Sequence, residues 1–317
     1  MKNQIQPLIS IAITCYNAEN SIHKAVLSAL KQNWDNKEIL VVDDCSDDRS
    51  VSVIKKMAKK YKAISVHVHK KNMGVAASRN SLIKMARGKY IAFFDDDDQS
   101  SPNRLIEQMK VILFYEKKFS STLIACYASG YRFYENGYKF KINAIGSKNH
   151  PPRGLALVNY LLFNERQKKY YYGAGTPAST LFAQKNTFLS VGQFDENLRR
   201  VEDADFAIRL GLKNGFFVGT KRNVFSQFAT VSADKNSDIV FKSELYLIEK
   251  YKNYLQKIDM YSYSKLWVKI RFFHFSNNKC LFFLNLILFI IKYPLVGSRH
   301  ILRSLPARFS HEISIAK

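Results

Sequence analysis

Four consecutive carboxylates, Asp95-Asp96-Asp97-Asp98, follow the apolar stretch Tyr90-Ile91-Ala92-Phe93-Phe94. Their mutual repulsion needs a positive partner, and a hard divalent cation is the natural one. A solvated turn also accommodates Asp, so the run alone leaves both readings open. A second acidic group, Glu202-Asp203-Ala204-Asp205, opens a helical pattern; acids at a helix N-terminus suit the dipole, and capping competes there with a role in a site. Thr14-Cys15-Tyr16-Asn17 and Asp43-Asp44-Cys45-Ser46-Asp47 each follow a short apolar run. Arg79 either reaches a diphosphate or lies on a helix surface. His67, His69 and His150 have no metal-ligand spacing and are expected at the surface. The run Lys168 to Thr180 has the glycines and small residues that let backbone approach a ligand, and its Lys168, Lys169 and Tyr170 to Tyr172 read as a half-buried strand or as the lining of an acceptor groove.

The elements that would position these groups alternate between strand and helix. Leu8–Ile13 and Glu38–Val42 are continuous apolar runs, as in strands buried on both faces. Helical patterns follow each, one with Ile22, Val26, Ala29 and Leu30 on a single face and one with Val51, Ile54, Met57 and Ala58. Ile64, Val66 and Val68 alternate as in a strand nearer a sheet edge. A helix is predicted over about 75–86, Gly88 closes it, and the strand ending in the acidic run begins. Pro102 opens a further helix with Leu105, Ile106, Met109, Ile112 and Leu113 inward; 122–128 reads as a strand and 155–163 as a helix. Short connections between alternating elements predict an α/β domain with a mixed, mainly parallel sheet flanked by helices. The polar residues that end each strand would then gather at the carboxyl edge, where open α/β sheets bind ligands. No GxGxxG follows the first strand and no GxxxxGK[ST] occurs, which argues against a dinucleotide-binding Rossmann site or a P-loop.

The chain of 317 residues carries a net charge of +23, so nucleic acid, anionic lipid and polyanionic substrates are candidate partners. From Tyr251 onward eleven Lys and Arg face two acids, interleaved with aromatic and aliphatic residues. That is the composition of a membrane-surface segment. Cys280–Ile291 has no charge but is shorter than the roughly 20 residues that a span needs. With Lys265, Lys269, Arg271, Arg299, Arg303 and Arg308 around it, an interfacial helix pair is expected, against a buried core helix. Cys15, Cys45, Cys126 and Cys280 are read as reduced core residues, and no cleavable signal peptide is visible.

In order and spacing, Ile9-Ser10-Ile11 to Tyr16-Asn17, Val41-Val42-Asp43-Asp44 with Ser46, Asn72 and Gly74 with Arg79-Asn80, Gly88 to Asp98, and Pro102 with Leu105 resemble family 2 glycosyltransferases. Pro177-Ala178-Ser179-Thr180, Val191-Gly192 with Phe194-Asp195-Glu196, and Glu202-Asp203 with Asp205 resemble the acceptor-side segment of the same family. The resemblance covers about residues 8–215. It implies a GT-A fold, the nucleotide-diphospho-sugar transferase-like sheet, with Mn²⁺ or Mg²⁺ at a D-x-D motif and transfer with inversion. It also implies a hexosyl or N-acetylhexosaminyl transferase that uses a UDP-sugar. Carried over by position, Thr14 and Tyr16 border the base, with Tyr16 stacking on it and Asp44 accepting from a base N–H, and Asn17 joins the nucleotide-sugar site. Arg79, Asp95 and Asp96 belong to the nucleotide-sugar site, and Asp97 with Asp95 to the metal. Asp203 is the general base, supported by Glu202. Asp96 stands where a small or neutral residue is usual.

Two parts are expected, a catalytic domain over 1–225 and a helical, basic, membrane-associating region over 226–317. The function expected is sugar transfer to a glycan or lipid-linked acceptor in surface polysaccharide or lipopolysaccharide biosynthesis, at the inner face of the cytoplasmic membrane and without nucleic acid. Two alternatives stand beside it. A nucleotidyltransferase would want a glycine-rich phosphate loop after the first strand, and Thr14–Ala18 has no glycine. A basic, non-catalytic nucleic-acid binder would want a positive groove.

Overall fold

Ile9–Cys15 (β1) is buried along its length, with parallel neighbours Lys37–Asp43 (β2) and Tyr90–Asp95 (β4) on its two sides. Ile64–Val68 (β3) adds to the far side of β2, also parallel. The computed structural model describes residues 6–148, 150–229 and 236–316. Beyond β4 the sheet turns mixed: Phe182–Gln184 (β8) pairs antiparallel with β4 and with Ile124–Phe133 (β6). Phe216–Phe228 (β9) runs parallel to β6, and Gln99–Ser100 (β5) pairs with its end. The order is β3-β2-β1-β4-β8-β6-β9-β5, with Lys139–Ile142 (β7) paired to β6.

Side chains alternate across the parallel strands, as a period of two requires. Ile9, Ile11 and Ile13 of β1, with Tyr90, Ala92 and Phe94 of β4, meet the apolar stripes of Ile22–Leu30 (α1), Ser50–Lys60 (α2) and Arg104–Phe119 (α4). Ala12, Ile91 and Phe93 face the other way, toward Val75–Met85 (α3), Leu155–Phe163 (α5), Lys185–Val191 (α6) and Glu202–Leu212 (α7). The inward face of α4 carries a surprise. Leu113 is exposed, and Arg104 is buried instead. Its guanidinium donates to the carbonyls of Phe93 (2.7 Å) and Ser179 (3.0 Å) and to the Ser100 hydroxyl (3.0 Å), tying four segments together.

Residues 168–180 form neither a strand nor the wall of the carboxyl-edge cleft. They turn through Gly173, where an added Cβ would lie 2.4 Å from the Asn143 carbonyl, and end in the short 3₁₀ turn Ala178–Thr180. Tyr172 is buried against Tyr160, ring centres 4.3 Å apart. Strands β7 and β9 had no clear sequence signal.

The C-terminal region is helical: Ser237–Lys250 (α8), Lys252–Lys257 (α9), Tyr261–Phe275 (α10), Lys279–Lys292 (α11) and Pro294–Ala316 (α12). It shares a third core with α5 and α7, built from Val158, Leu162, Ile208, Leu247, Tyr263 and Phe289. The boundary expected at 225/226 falls inside β9, and the helices begin at Ser237. The uncharged stretch of α11 is not a buried core helix. Phe289 is buried, while Phe283 is 56% and Ile291 72% exposed. No helix among the described residues is long and apolar enough to cross a membrane. Cys280 is exposed and Cys45 half-buried, so only Cys15 and Cys126 are core thiols; all four are unpaired. Arg308 of the expected basic rim lies outside the described side chains.

Candidate functional site

Strand order reverses between β1 and β4, the place where an α/β sheet opens a crevice at its carboxyl edge. The register sets Thr14 beside Asp95 there. A cleft of about 580 Å³ lies at this edge, lined by Thr14, Tyr16, Asp44, Arg79, Asp95, Asp96, Asp97 and Glu202. Most residues singled out from the sequence therefore converge. Asn17 does not join them: it is exposed, its N–H donates to Ser46 Oγ (2.9 Å), and its Oδ1 accepts from the Asp47 N–H (2.9 Å). It ties the β1–α1 loop to the β2–α2 loop.

The acidic run splits in two. Asp96 turns away and accepts the Tyr16 backbone N–H at 2.9 Å, fixing the tyrosine whose ring stands exposed at the cleft. Asp95, Asp97 and Asp98 each bring a carboxylate oxygen within 4.8 Å of the others. Asp98 was not among the expected ligands; it is buried and accepts from the Phe228 N–H at the end of β9. Burial, reinforced by the charges of Asp95 and Asp97, pushes Asp98 up to about 9. Burial likewise pushes Asp96 up to about 8, against the Tyr16 N–H, which lowers it. Asp95 is also raised, by burial first, although Arg79 pulls the other way. Asp95 Oδ1 and Asp98 Oδ2 are buried with no hydrogen-bond partner among the described residues. Converging hard oxygens with orphaned lone pairs and raised proton affinity are what a divalent cation would satisfy. The residues fit Mn²⁺ or Mg²⁺.

Arg79 is not on a helix surface. It is buried, paired with Glu202 and 3.6 Å from Asp95. Burial disfavours its charge, yet Glu202, Asp95 and Asp203 outweigh that and raise it. Glu202 is thereby committed to a partner. Asp203, in the first turn of α7, is half-buried and accepts the Ala204 N–H at 2.7 Å. Burial and the Glu202 charge push it up to about 6, against the pull of Arg79.

Asp44 is already engaged. Its Oδ1 accepts from His69 Nδ1 (2.7 Å) and the Met73 N–H (2.9 Å), and its Oδ2 from the Gly74 N–H (2.7 Å). A carboxylate only accepts, so His69 carries its proton on Nδ1; Nε2 faces the Ser81 hydroxyl at 3.0 Å. His69 is thus buried, not at the surface. The clamp holds Gly74 at φ +91°, where a Cβ would lie 2.7 Å from the Arg199 guanidinium, and Arg199 in turn donates to Asn72 Oδ1 (2.9 Å). Arg199 and Arg200 line the cleft with Arg132, which donates to Gln227 (2.8 Å). The Arg199-Arg200 pair beside Glu202 was visible in sequence; Arg132 and Gln227 were not, because the strand read over 122–128 runs on to Phe133 and β9 had no clear signal.

Residues 10–184 match the family described as Glycosyl transferase family 2, more than half of the chain. The chain belongs to that family. An uncharacterized glycosyltransferase of Methanocaldococcus jannaschii is 29% identical over 91% of this chain and 90% of its own length. A Bacillus subtilis glycosyltransferase named for teichuronic acid biosynthesis, TuaG, is 33% identical over 37% of this chain. An uncharacterized glycosyltransferase of Haemophilus influenzae is 37% identical over 34% of it. The chain spans 46% of TuaG and 43% of the Haemophilus protein. Among solved structures, S. aureus TarS 1-349 in complex with UDP-GlcNAc superposes with a TM-score of 0.54 at 17% identity, covering 83% of this chain and 80% of that one. The same protein in complex with UDP gives 0.53 at 20% identity, over 76% and 65%. The mixed sheet flanked by helices is therefore the GT-A arrangement expected from the sequence. The family match is what the transferase reading expected, and neither alternative called for it.

Proposed function

We propose that the chain is an inverting glycosyltransferase that moves a sugar, hexose or N-acetylhexosamine, from a UDP-sugar to a hydroxyl of a glycan or lipid-linked acceptor. The observation that carries this reading is the Asp95, Asp97 and Asp98 cluster, with its orphaned oxygens, of which Asp95 and Asp97 line the cleft that also holds Tyr16 and the Arg79–Glu202 pair. A Mn²⁺ or Mg²⁺ ion held by those three carboxylates would offset the negative charge that builds on a departing diphosphate. The side chains do the rest. Tyr16 offers a ring face to the base and Thr14 borders it. Asp44, through the 72–74 loop, holds Arg199 toward the phosphates, where Arg200 and Arg132 add positive charge. Asp203 takes the proton of the attacking acceptor hydroxyl at a carboxylate oxygen. A base raised to about 6 is ionised at pH 7 yet more basic than an ordinary aspartate. One base suffices for direct displacement, and Glu202, committed to Arg79, positions and does not transfer protons.

In this reading the sheet and its flanking helices, through β9, carry the transfer, and the helices from Ser237 onward hold the protein to the inner face of the cytoplasmic membrane. The exposed Phe283, Leu284, Ile287 and Ile291 of α11, between Lys279 and Lys292, support that placement. The TarS titles support a UDP-sugar donor, and the name of TuaG supports a role in surface polysaccharide synthesis. Calorimetric titration of UDP with and without Mn²⁺, on wild type and Asp97→Asn, tests the reading. Metal-dependent binding lost in the variant is expected. Equal UDP affinity with and without metal, or metal-dependent binding that survives the substitution, would overturn it.

A further inference from the structure

Asp44 lines the donor cleft just past the end of β2, and no Lys or Arg nitrogen lies within ion-pair distance of it among the described residues. What answers its charge is a set of three N–H donors, from the His69 ring, Met73 and Gly74. A carboxylate has about four lone-pair sites. Two of the three bonds fall on Oδ1 and one on Oδ2, so a single site on Oδ2 is left over. The His69 and Asp44 side chains are 5% and 6% exposed. Bulk water competes little there, and a donor that fills the open site gains more than it would in solution.

Of the three donors, one belongs to the fixed frame of the fold. Met73 and Gly74 lie on the loop that Asp44 itself ties down, so their N–H groups orient the loop and move with it. His69 is pinned independently. Its backbone N–H donates to the Asp43 carbonyl (2.9 Å), just beyond the last parallel β2–β3 pair. Its ring is held at both nitrogens, with Nδ1 on Asp44 Oδ1 at 2.7 Å and Nε2 at 3.0 Å from the Ser81 hydroxyl of α3. The His67 ring stands edge-on to it, centres 5.5 Å apart. A hydroxyl donates where a carboxylate cannot, so Ser81 suits a bare Nε2 and favours the tautomer with the proton on Nδ1. A turn of the Asp44 carboxylate must break that bond first.

We infer that His69 is a positioning residue for the donor: it orients Asp44 so that the one open acceptor site of Oδ2 meets a ring N–H of the nucleobase. This rests on the transferase reading above and adds to it a residue that reads the base at one remove. His69 is not among the residues that line the cleft, so it acts through Asp44. Uracil presents a ring N–H at N3, and uracil methylated at N3 presents none. The preference for the first over the second therefore measures where Asp44 points, apart from how firmly the cleft is built.

Calorimetric titration with UDP and with N3-methyl-UDP, Mn²⁺ present, makes the test. Wild type should bind UDP at least about tenfold more tightly than the methylated analogue. His69→Gln carries its amide to the Nε2 position and leaves Nδ1 unreplaced. It should weaken UDP about tenfold and cut the preference to about twofold or less. His69→Asn sets an amide N–H at the Nδ1 position and should restore both. A histidine that only supports the fold would weaken both nucleotides equally and leave the preference standing, which would overturn the inference. So would a wild type indifferent to N3 methylation, or an Asn variant no better than Gln. Nitrogen-15 NMR without nucleotide or metal, with His69 assigned by its loss in His69→Gln, should show Nδ1 protonated and Nε2 bare near pH 7. The opposite tautomer would also overturn it. A wild type that fails to bind UDP refutes the transferase reading, whereas UDP binding with an unaltered preference in His69→Gln refutes the role of His69 alone.

Discussion

Arg79→Met isolates the interaction on which the acidic cleft rests. Methionine keeps a long stem near the Phe194 ring, which lies 5.4 Å from the guanidinium, and removes the charge. The arginine and Glu202 side chains are 6% and 8% exposed, so solvent cannot replace the lost partner of Glu202. Breaking a buried pair from one side costs about 3–5 kcal/mol, a large part of a total stability of about 5–15 kcal/mol. Asp95 is 28% exposed and 3.6 Å from the guanidinium, and it adds less. Urea unfolding followed by circular dichroism would measure the loss. Glu202→Gln in the Arg79→Met background should recover part of it, with a coupling of about 0.5–3 kcal/mol in the double-mutant cycle. A cost under about 1 kcal/mol for Arg79→Met, or additive single effects, would show that the pair is not what holds α7 against the acidic strand end.

Further outcomes follow from the same geometry. With Asp203 as base, the transfer rate should rise as pH climbs through about 6 and level above it, because the carboxylate acts only when ionised; Asp203→Asn should lower turnover by about 10²–10⁴ and leave UDP affinity unchanged. Asp98→Asn should leave the melting temperature without divalent ions little changed, since a carboxyl pushed up to about 9 is already uncharged at pH 7, and should abolish the rise that Mn²⁺ gives the wild type; thermal scans with EDTA and with Mn²⁺ check both. At Gly88 an added Cβ would lie 2.6 Å from the Ser10 backbone nitrogen and 2.8 Å from the Leu8 carbonyl, so Gly88→Ala should destabilise by about 1–3 kcal/mol in urea.

The parallel half of the fold was legible because its signals are local. Strands β1, β2 and β4 are apolar runs that each end in polar residues, and their carboxyl ends had to lie together once the sheet was parallel. That alone assembled Thr14, Tyr16, Asp44 and the acidic run. What escaped depends on partners distant in sequence. Arg79 left two readings open and Arg104 drew none, because isolated arginines are rarely buried, and it takes Glu202, 123 positions away, with Asp95 and Asp203 to make the first tolerable inside. His69 looked like a surface residue until Asp44 folded over it. Asp98 gained its place from the end of β9, a strand whose interior Lys221-Arg222-Asn223 breaks the apolar pattern.

The segment 200–204 is where donor cleft, proposed base and C-terminal core meet, and its geometry explains why the helical extension cannot be a mere appendage. Val201 has φ +60°, a conformation that a β-branched side chain adopts only under constraint, at a cost of order 1–3 kcal/mol. The constraint comes from one turn further along. Asp205 is fully buried and bonds Arg209 (2.8 Å) of its own helix, but also Lys250 (2.8 Å) and the Tyr251 hydroxyl (2.8 Å), at the end of α8. Lys250 bonds Asp195 as well, so the loop before α7 and the helix itself are drawn to one cation. The first turn of α7, and with it the direction of Asp203, is therefore set by residues outside the matched family segment. A substitution at Lys250 or Tyr251 should therefore reach the first turn of α7 through Asp205.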